Sequence, residues 1–144
     1  MKVFTVFFAV VILSGCVGNT LPAQNPVSAQ ESQWRTESYR TPGNDTGVLI
    51  ISRDTGYRGA ACIPLITLDK EHVAPLNVGE KLELHVTGGR HLLRAFPNRN
   101  CASCPIETAV DIKKNQVMNY RLGIQRAAMV FIPVGYCWCF WLSD

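Results

Sequence analysis

The sequence predicts an all-β protein, a small antiparallel β-sandwich behind a flexible N-terminal tether. Three observations predict it. Residues 46–144 break into short segments of period-2 alternation, such as Leu82, Leu84 and Val86 against Lys81, Glu83 and His85, the spacing of side chains on opposite faces of a strand. Turn-forming residues recur between those segments, at Asp54-Thr55-Gly56, Asn77-Val78-Gly79, Thr87-Gly88-Gly89 and Lys114-Asn115-Gln116. No stretch sustains the 3.6-residue period of a helix, and the best helical candidate, residues 125–129, is short. Without helical crossovers, strand pairing should be mostly antiparallel.

The elements follow in order. Gly47-Val48-Leu49-Ile50-Ile51 is a short β-branched run suited to a strand buried on both faces. Residues 61–68 form a second candidate, in which Pro64 points to an edge or a bulge. Asp69-Lys70-Glu71 turns the chain into residues 72–76, and residues 81–86 carry the clearest alternation. Thr87-Gly88-Gly89 tolerates positive φ and reads as a hairpin to residues 90–96. Ile106, Thr108, Val110 and Ile112 share one face of the next strand, and Met118, Tyr120, Leu122 and Ile124 one face of the strand after it. A last pair, residues 128–132 and 136–142, is joined around Pro133-Val134-Gly135.

Residues 17–46 differ in composition: Ser, Thr, Asn, Gln, Pro and Gly dominate, too polar to offset the entropy of ordering. They read as a tether, with Trp34 and Tyr39 as the places where it docks onto the domain.

Ahead of the tether, Met1-Lys2 precedes an apolar run over residues 3–13, broken only by Thr5, and then Leu13-Ser14-Gly15-Cys16. One positive charge, about a dozen apolar residues and then small residues is the pattern of a targeting segment. The run falls short of the roughly 20 residues needed to span a bilayer. The stretch resembles the signal peptide of a bacterial lipoprotein, with Leu-Ser-Gly-Cys as its lipobox. The resemblance implies cleavage before Cys16 and fatty acylation, palmitate included, of that cysteine. The chain then divides into a signal peptide (1–15), a lipidated cysteine with its tether (16–45) and the sandwich (46–144). Each buried methylene contributes about 0.8 kcal/mol, so a three-chain anchor is effectively permanent. Val17, where an aspartate would resemble an inner-membrane retention signal, implies the outer membrane, facing the periplasm, in a diderm host. Ordinary cleavage after Val27-Ser28-Ala29 would instead release a soluble protein, but leaves a long polar stretch before the cut.

A second resemblance covers residues 47–124. Gly47-Val48-Leu49-Ile50-Ile51-Ser52-Arg53, the run Leu76-Asn77-Val78-Gly79-Glu80-Lys81-Leu82-Glu83-Leu84-His85-Val86-Thr87-Gly88-Gly89-Arg90-His91-Leu92-Leu93 and the later Val110-Asp111-Ile112-Lys113-Lys114-Asn115-Gln116-Val117-Met118-Asn119-Tyr120-Arg121-Leu122 are similar to small immunoglobulin-like and PEGA-type domains of bacterial surface proteins. Gly88 stands where that pattern often has proline. The resemblance implies a non-catalytic envelope domain, with the membrane and an envelope protein as partners. Nucleic acid is excluded as a partner class, because the fourteen Lys and Arg only slightly outnumber the eleven Asp and Glu and are scattered.

The cysteines carry what chemistry there is. With Cys16 as anchor, Cys62, Cys101, Cys104, Cys137 and Cys139 remain, and outside the cytoplasm such residues most often form disulfides. Cys137 and Cys139 share a strand face, about 6.5 Å apart along an extended backbone, which makes them awkward partners for each other. The expectation is that the Cys101/Cys104 loop is stapled to the Cys137/Cys139 strand, with Cys62 a buried thiol. The competing class is a thiol–disulfide or zinc-dependent enzyme built on those two pairs; an iron–sulfur cluster would use similar ligands. His72, His85 and His91 are scattered, Glu80 and Glu83 point to opposite strand faces, and no Gly-x-Ser-x-Gly or His-Glu-x-x-His is present. The expectation is therefore no cofactor, no metal and no catalytic residue. Tyr136, Trp138, Phe140 and Trp141 crowd the C-terminus, either as core and edge packing or as an exposed interaction patch.

Overall fold

The computed structural model describes residues 23–56, 59–125 and 128–134. Cys16, Tyr136, Cys137, Trp138, Cys139, Phe140 and Trp141 lie outside them. The fold is a β-sandwich of two packed sheets. One has five strands in the order β1-β5-β2-β8-β9, formed by β1 (Val27–Ser28), β5 (Glu80–Thr87), β2 (Thr46–Arg53), β8 (Val117–Gln125) and β9 (Ala128–Pro133). The other has four, β4-β3-β6-β7, formed by β4 (Glu71–Pro75), β3 (Leu65–Leu68), β6 (Gly89–Phe96) and β7 (Ile106–Ile112). Pairing is antiparallel except at β1–β5 and β2–β8, which are parallel.

The alternation does its physical work in the core. Leu49 and Ile51 of β2, Leu82, Leu84 and Val86 of β5, and Tyr120 and Leu122 of β8 are buried. They face Ile66 and Leu68 of β3, Leu93 and Ala95 of β6, and Val110 and Ile112 of β7 across the interior. Gly47 is glycine for a local reason: a Cβ there would stand 2.5 Å from both the Ile112 side chain and the Lys113 carbonyl. β2 is not buried on both faces as expected. Val48 and Ile50 are only half-buried, on the face of that sheet turned away from the core.

One further expectation is corrected. Thr87-Gly88-Gly89 is not a hairpin, since β5 and β6 belong to different sheets. Only Gly88 separates them, fewer than the two residues a hairpin turn needs. The chain instead turns a corner across the core, with Gly89 at φ 142°. The true tight hairpin is Asp69-Lys70, where φ of 49° and 74° joins β3 to β4. β8 runs to Gln125 and β9 starts at Ala128. Pro64 delays β3 to Leu65, with a bulge between Ile66 and Thr67.

The tether expected over 16–45 becomes part of the fold from Val27 onward. β1 pairs with the start of β5, a 3₁₀ turn follows at Glu31–Gln33, and residues 34–40 run along the sandwich. The segment bridges both sheets: the Ala29 N–H donates to Lys81 on β5, and the Arg35 N–H to Val73 on β4. His85 N–H donates back to the Tyr39 carbonyl, and the Thr36 and Ser38 hydroxyls bond Glu71 Oε1. Trp34 and Tyr39, the two apolar exceptions in the tether, pack against the core. This strap closes the side of the sandwich where β4 and β5 would otherwise present open edges.

Candidate functional site

Among the described residues, the three cysteines gather at one pole of the sandwich, where β2, β6 and β8 end and β3, β7 and β9 begin. Two loops meet there. The β2–β3 connection carries Cys62, and the nine-residue β6–β7 connection, residues 97–105, carries Cys101-Ala102-Ser103-Cys104 between Pro97 and Pro105. The register explains the meeting: Leu65 pairs with Phe96, so the residues before β3 and those after β6 leave the sheet side by side.

Cys62 and Cys101 are joined in a disulfide. This corrects two expectations. Cys62 is buried as expected, but it is not a free thiol, and Cys101 cannot staple the loop to Cys137 or Cys139. Cys104 is exposed and is in no disulfide among the described residues. Asn98 organises the bend before the bridge. Its carbonyl accepts the Cys101 N–H, its Oδ1 accepts the Asn100 N–H and stands 3.0 Å from Cys101 Sγ, and its Nδ2 donates to the Ala61 carbonyl. Ser103 Oγ accepts the Met129 N–H at 3.0 Å, which latches the loop onto β9.

Beneath the loops lies a charged cluster. Arg53 is the last inward-facing residue of β2 and is buried, its guanidinium donating to the Leu122 and Gly59 carbonyls while Nε has no partner among the described residues. Burial pulls its pKa below the usual arginine value, against the opposing pull of Asp54. Asp54, also buried, takes a two-pronged pair from Arg121, with Nε and NH2 each 2.8 Å from one carboxylate oxygen. The two parallel bonds are the fork geometry by which a guanidinium binds a carboxylate.

The opposite pole holds a second polar group. His91 Nδ1 lies 2.6 Å from Asp69 Oδ2, and its Nε2 lies 2.8 Å from the Thr87 carbonyl. Both partners are acceptors, so the ring satisfies both only when it carries two protons. The dyad has the look of an acid–base pair, but its third member is a backbone carbonyl rather than a nucleophile. Partial burial acts to raise the Asp69 carboxyl, yet hydrogen bonds from His91 and the Leu92 N–H together with the His91 charge outweigh it, and the net shift is downward. A depressed carboxyl stabilises the fold above its unfolded pKa, about 3.9, and loses that contribution as pH falls through the folded value. The melting-temperature advantage of the native chain over Asp69→Asn is therefore expected to be larger at pH 6 than below about pH 4. An advantage that is the same at pH 3 and pH 6 would contradict this.

On the strap, Tyr39 is pushed up to about 12, first by burial and then by the charges of Glu71 and Asp69. Hydrogen bonds from Thr36 and Ser38 hold Glu71 below the ordinary carboxylate range. These groups fasten the strap. Glu80 likewise has a structural role, its Oε2 accepting from the backbone N–H and side-chain amide of Asn77. Among the described residues, no three His, Cys, Asp or Glu side chains cluster as metal ligands would.

Sequence reasoning placed Cys101 and Cys104 in a loop between Pro97 and Pro105 but missed Cys62 as the bridging partner, Asn98 and the Arg53–Asp54–Arg121 cluster. Pro64 was the available signal for Cys62: a proline two residues on keeps Cys62 out of the regular ladder and in a loop, where a bridge forms readily. Comparison with family models, with curated proteins and with solved structures returns no match for this chain.

Proposed function

We propose that this chain is a lipid-anchored protein of the cell envelope whose β-sandwich serves as a non-enzymatic, accessory interaction module. The observation that carries the reading is Leu13-Ser14-Gly15-Cys16 closing a short apolar run behind a single lysine. Two structural features support it. The strap meets the sandwich at Val27, eleven residues after Cys16, a span of at most about 40 Å when extended. An anchor at Cys16 would thus hold the domain close against the membrane. The Cys62–Cys101 bridge suits an oxidising compartment, and Val17 favours the periplasmic face of an outer membrane in a diderm host.

The interaction surface lies at the pole away from the disulfide. Val117 and Val134, 56% and 51% exposed, stand on the rim of a hollow of about 290 Å³ lined also by Gln116, Met118, Asn119, Tyr120 and Pro133. In sequence the chain passes straight from Val134 towards Tyr136, Trp138, Phe140 and Trp141. Two exposed valines beside the polar Gln116 and Asn119 fit the mixed apolar and polar contact of an envelope protein. The enzyme reading is weaker here, because a bridged Cys101 has no thiolate to offer a metal or a substrate.

Mass spectrometry of the membrane-extracted protein tests the anchor. The expected product begins at an acylated Cys16, and Cys16→Ala should leave the protein in the soluble fraction. An unmodified N-terminus elsewhere in the chain would overturn the reading. For the surface, Val117→Asp is expected to change stability by no more than about 0.5 kcal/mol, as an exposed substitution does. The same variant should abolish cross-linking to an envelope protein. A cross-link that survives places the contact elsewhere.

A further inference from the structure

We propose that Cys104 and the Cys62–Cys101 bridge form a thiol–disulfide exchange site, in which the Cys104 sulfur attacks Sγ of Cys101 and displaces Cys62. The step balances without an external oxidant or reductant. The Cys104 proton passes to solvent, a Cys101–Cys104 bond forms as the Cys62–Cys101 bond breaks, and the Cys62 sulfur leaves with the electron pair and takes up a proton.

Chain geometry makes Cys104 a natural attacker. It shares the short β6–β7 loop with Cys101, the two Cα atoms are at most about 11 Å apart along three residues, and the chain bends between them at Ser103. A bridge needs Cα atoms within roughly 4.4–6.8 Å, a range that torsional adjustment within this one loop reaches. Access orders the three sulfurs: Cys104 is exposed, Cys101 half-buried and Cys62 only 2% exposed. An incoming sulfur therefore meets Cys101, and Cys62 is the leaving group. As a thiol, the released Cys62 is tolerated in apolar surroundings. As the departing thiolate it is poorly solvated there, so the resting state is the Cys62–Cys101 form and exchange waits on opening of the pole.

The exchange has a structural consequence. Ser103, which lies between the two cysteines, holds the β9 edge through the Met129 N–H. Closing the Cys101–Cys104 ring reorients Ser103, frees that edge and unlinks the β6–β7 loop from the β2–β3 loop. The pole becomes an openable end of the sandwich.

Alkylation of the full chain with iodoacetamide, followed by peptide mapping, tests this. At pH 7 the expected pattern is a Cys62–Cys101 peptide with Cys104 alkylated. Exchange proceeds through the thiolate, so raising the pH from 7 to 9 accelerates it. Cys62 alkylation should rise in step, matched by a Cys101–Cys104 peptide, with no change in total thiol count. Cys104→Ser, which leaves the bridge and the core untouched, should abolish Cys62 alkylation. Three results would each overturn the proposal: Cys104 bridged to Cys137 or Cys139, persistent Cys62 alkylation in Cys104→Ser, or no Cys62 alkylation at pH 9 in the native chain.

Discussion

Replacing Cys62 and Cys101 together by alanine is expected to lower the free energy of unfolding by about 4 kcal/mol. The bridge spans 39 residues of sequence, and closing a loop of that length restricts the unfolded chain by about this amount in the chain-entropy model. The closed segment runs from the end of the β2–β3 connection through β3, β4, β5 and β6, so the restriction bears on strands of both sheets. In a domain of this size such a loss lowers the melting temperature by roughly 15 °C. The double substitution is the cleaner experiment, because a single one leaves a thiol that can pair with Cys104. In urea titrations the midpoint should fall and the slope should rise, since the unbridged chain unfolds to a more expanded ensemble. A loss below about 1 kcal/mol would mean that the bridge strains the native state nearly as much as it restricts the unfolded one.

Arg121→Ala is the second large effect, with an expected loss of about 3 kcal/mol. The Asp54 side chain is 3% exposed, and both its oxygens are bound by Arg121. Removing one partner of a buried pair leaves the other charge uncompensated, and this costs about 3–5 kcal/mol. The lower figure applies because Arg121 is itself partly exposed and Arg53 stays close enough to Asp54 to be influenced by it. Arg121→Lys should recover only part of the loss, since an ammonium cannot bind both oxygens in a fork. Replacing both partners, Asp54→Asn with Arg121→Leu, should be milder than Arg121→Ala alone, because no charge is then stranded. Urea melts of the three variants decide the matter. A double variant less stable than the single one would show that Asp54 acts through contacts other than Arg121.

Much of the architecture was legible before folding. The inward sets Leu82, Leu84 and Val86, and Val110 and Ile112, are buried where period 2 put them. In the turns read from the sequence, Asp69 and Asn115 take the positive φ that short polar side chains tolerate. At the disulfide pole only half of the chemistry was readable. Cys101 and Cys104 announced themselves by spacing, but the bridging partner was Cys62, which looked like part of a core strand.

Amino-acid order was sufficient for the class of the fold and the faces of most strands, because each depends on neighbours within a few residues. Tertiary structure decided the rest. It sent the chain across the core at Gly88 instead of back along the same sheet, laid residues 27–40 over the β4 and β5 edges, and brought Cys62 to Cys101 and Arg121 to Asp54. Alternation specifies which side of a strand is apolar but not which strand lies beside it. That choice rests on pairings between residues 39 and 67 positions apart, for which no local pattern exists.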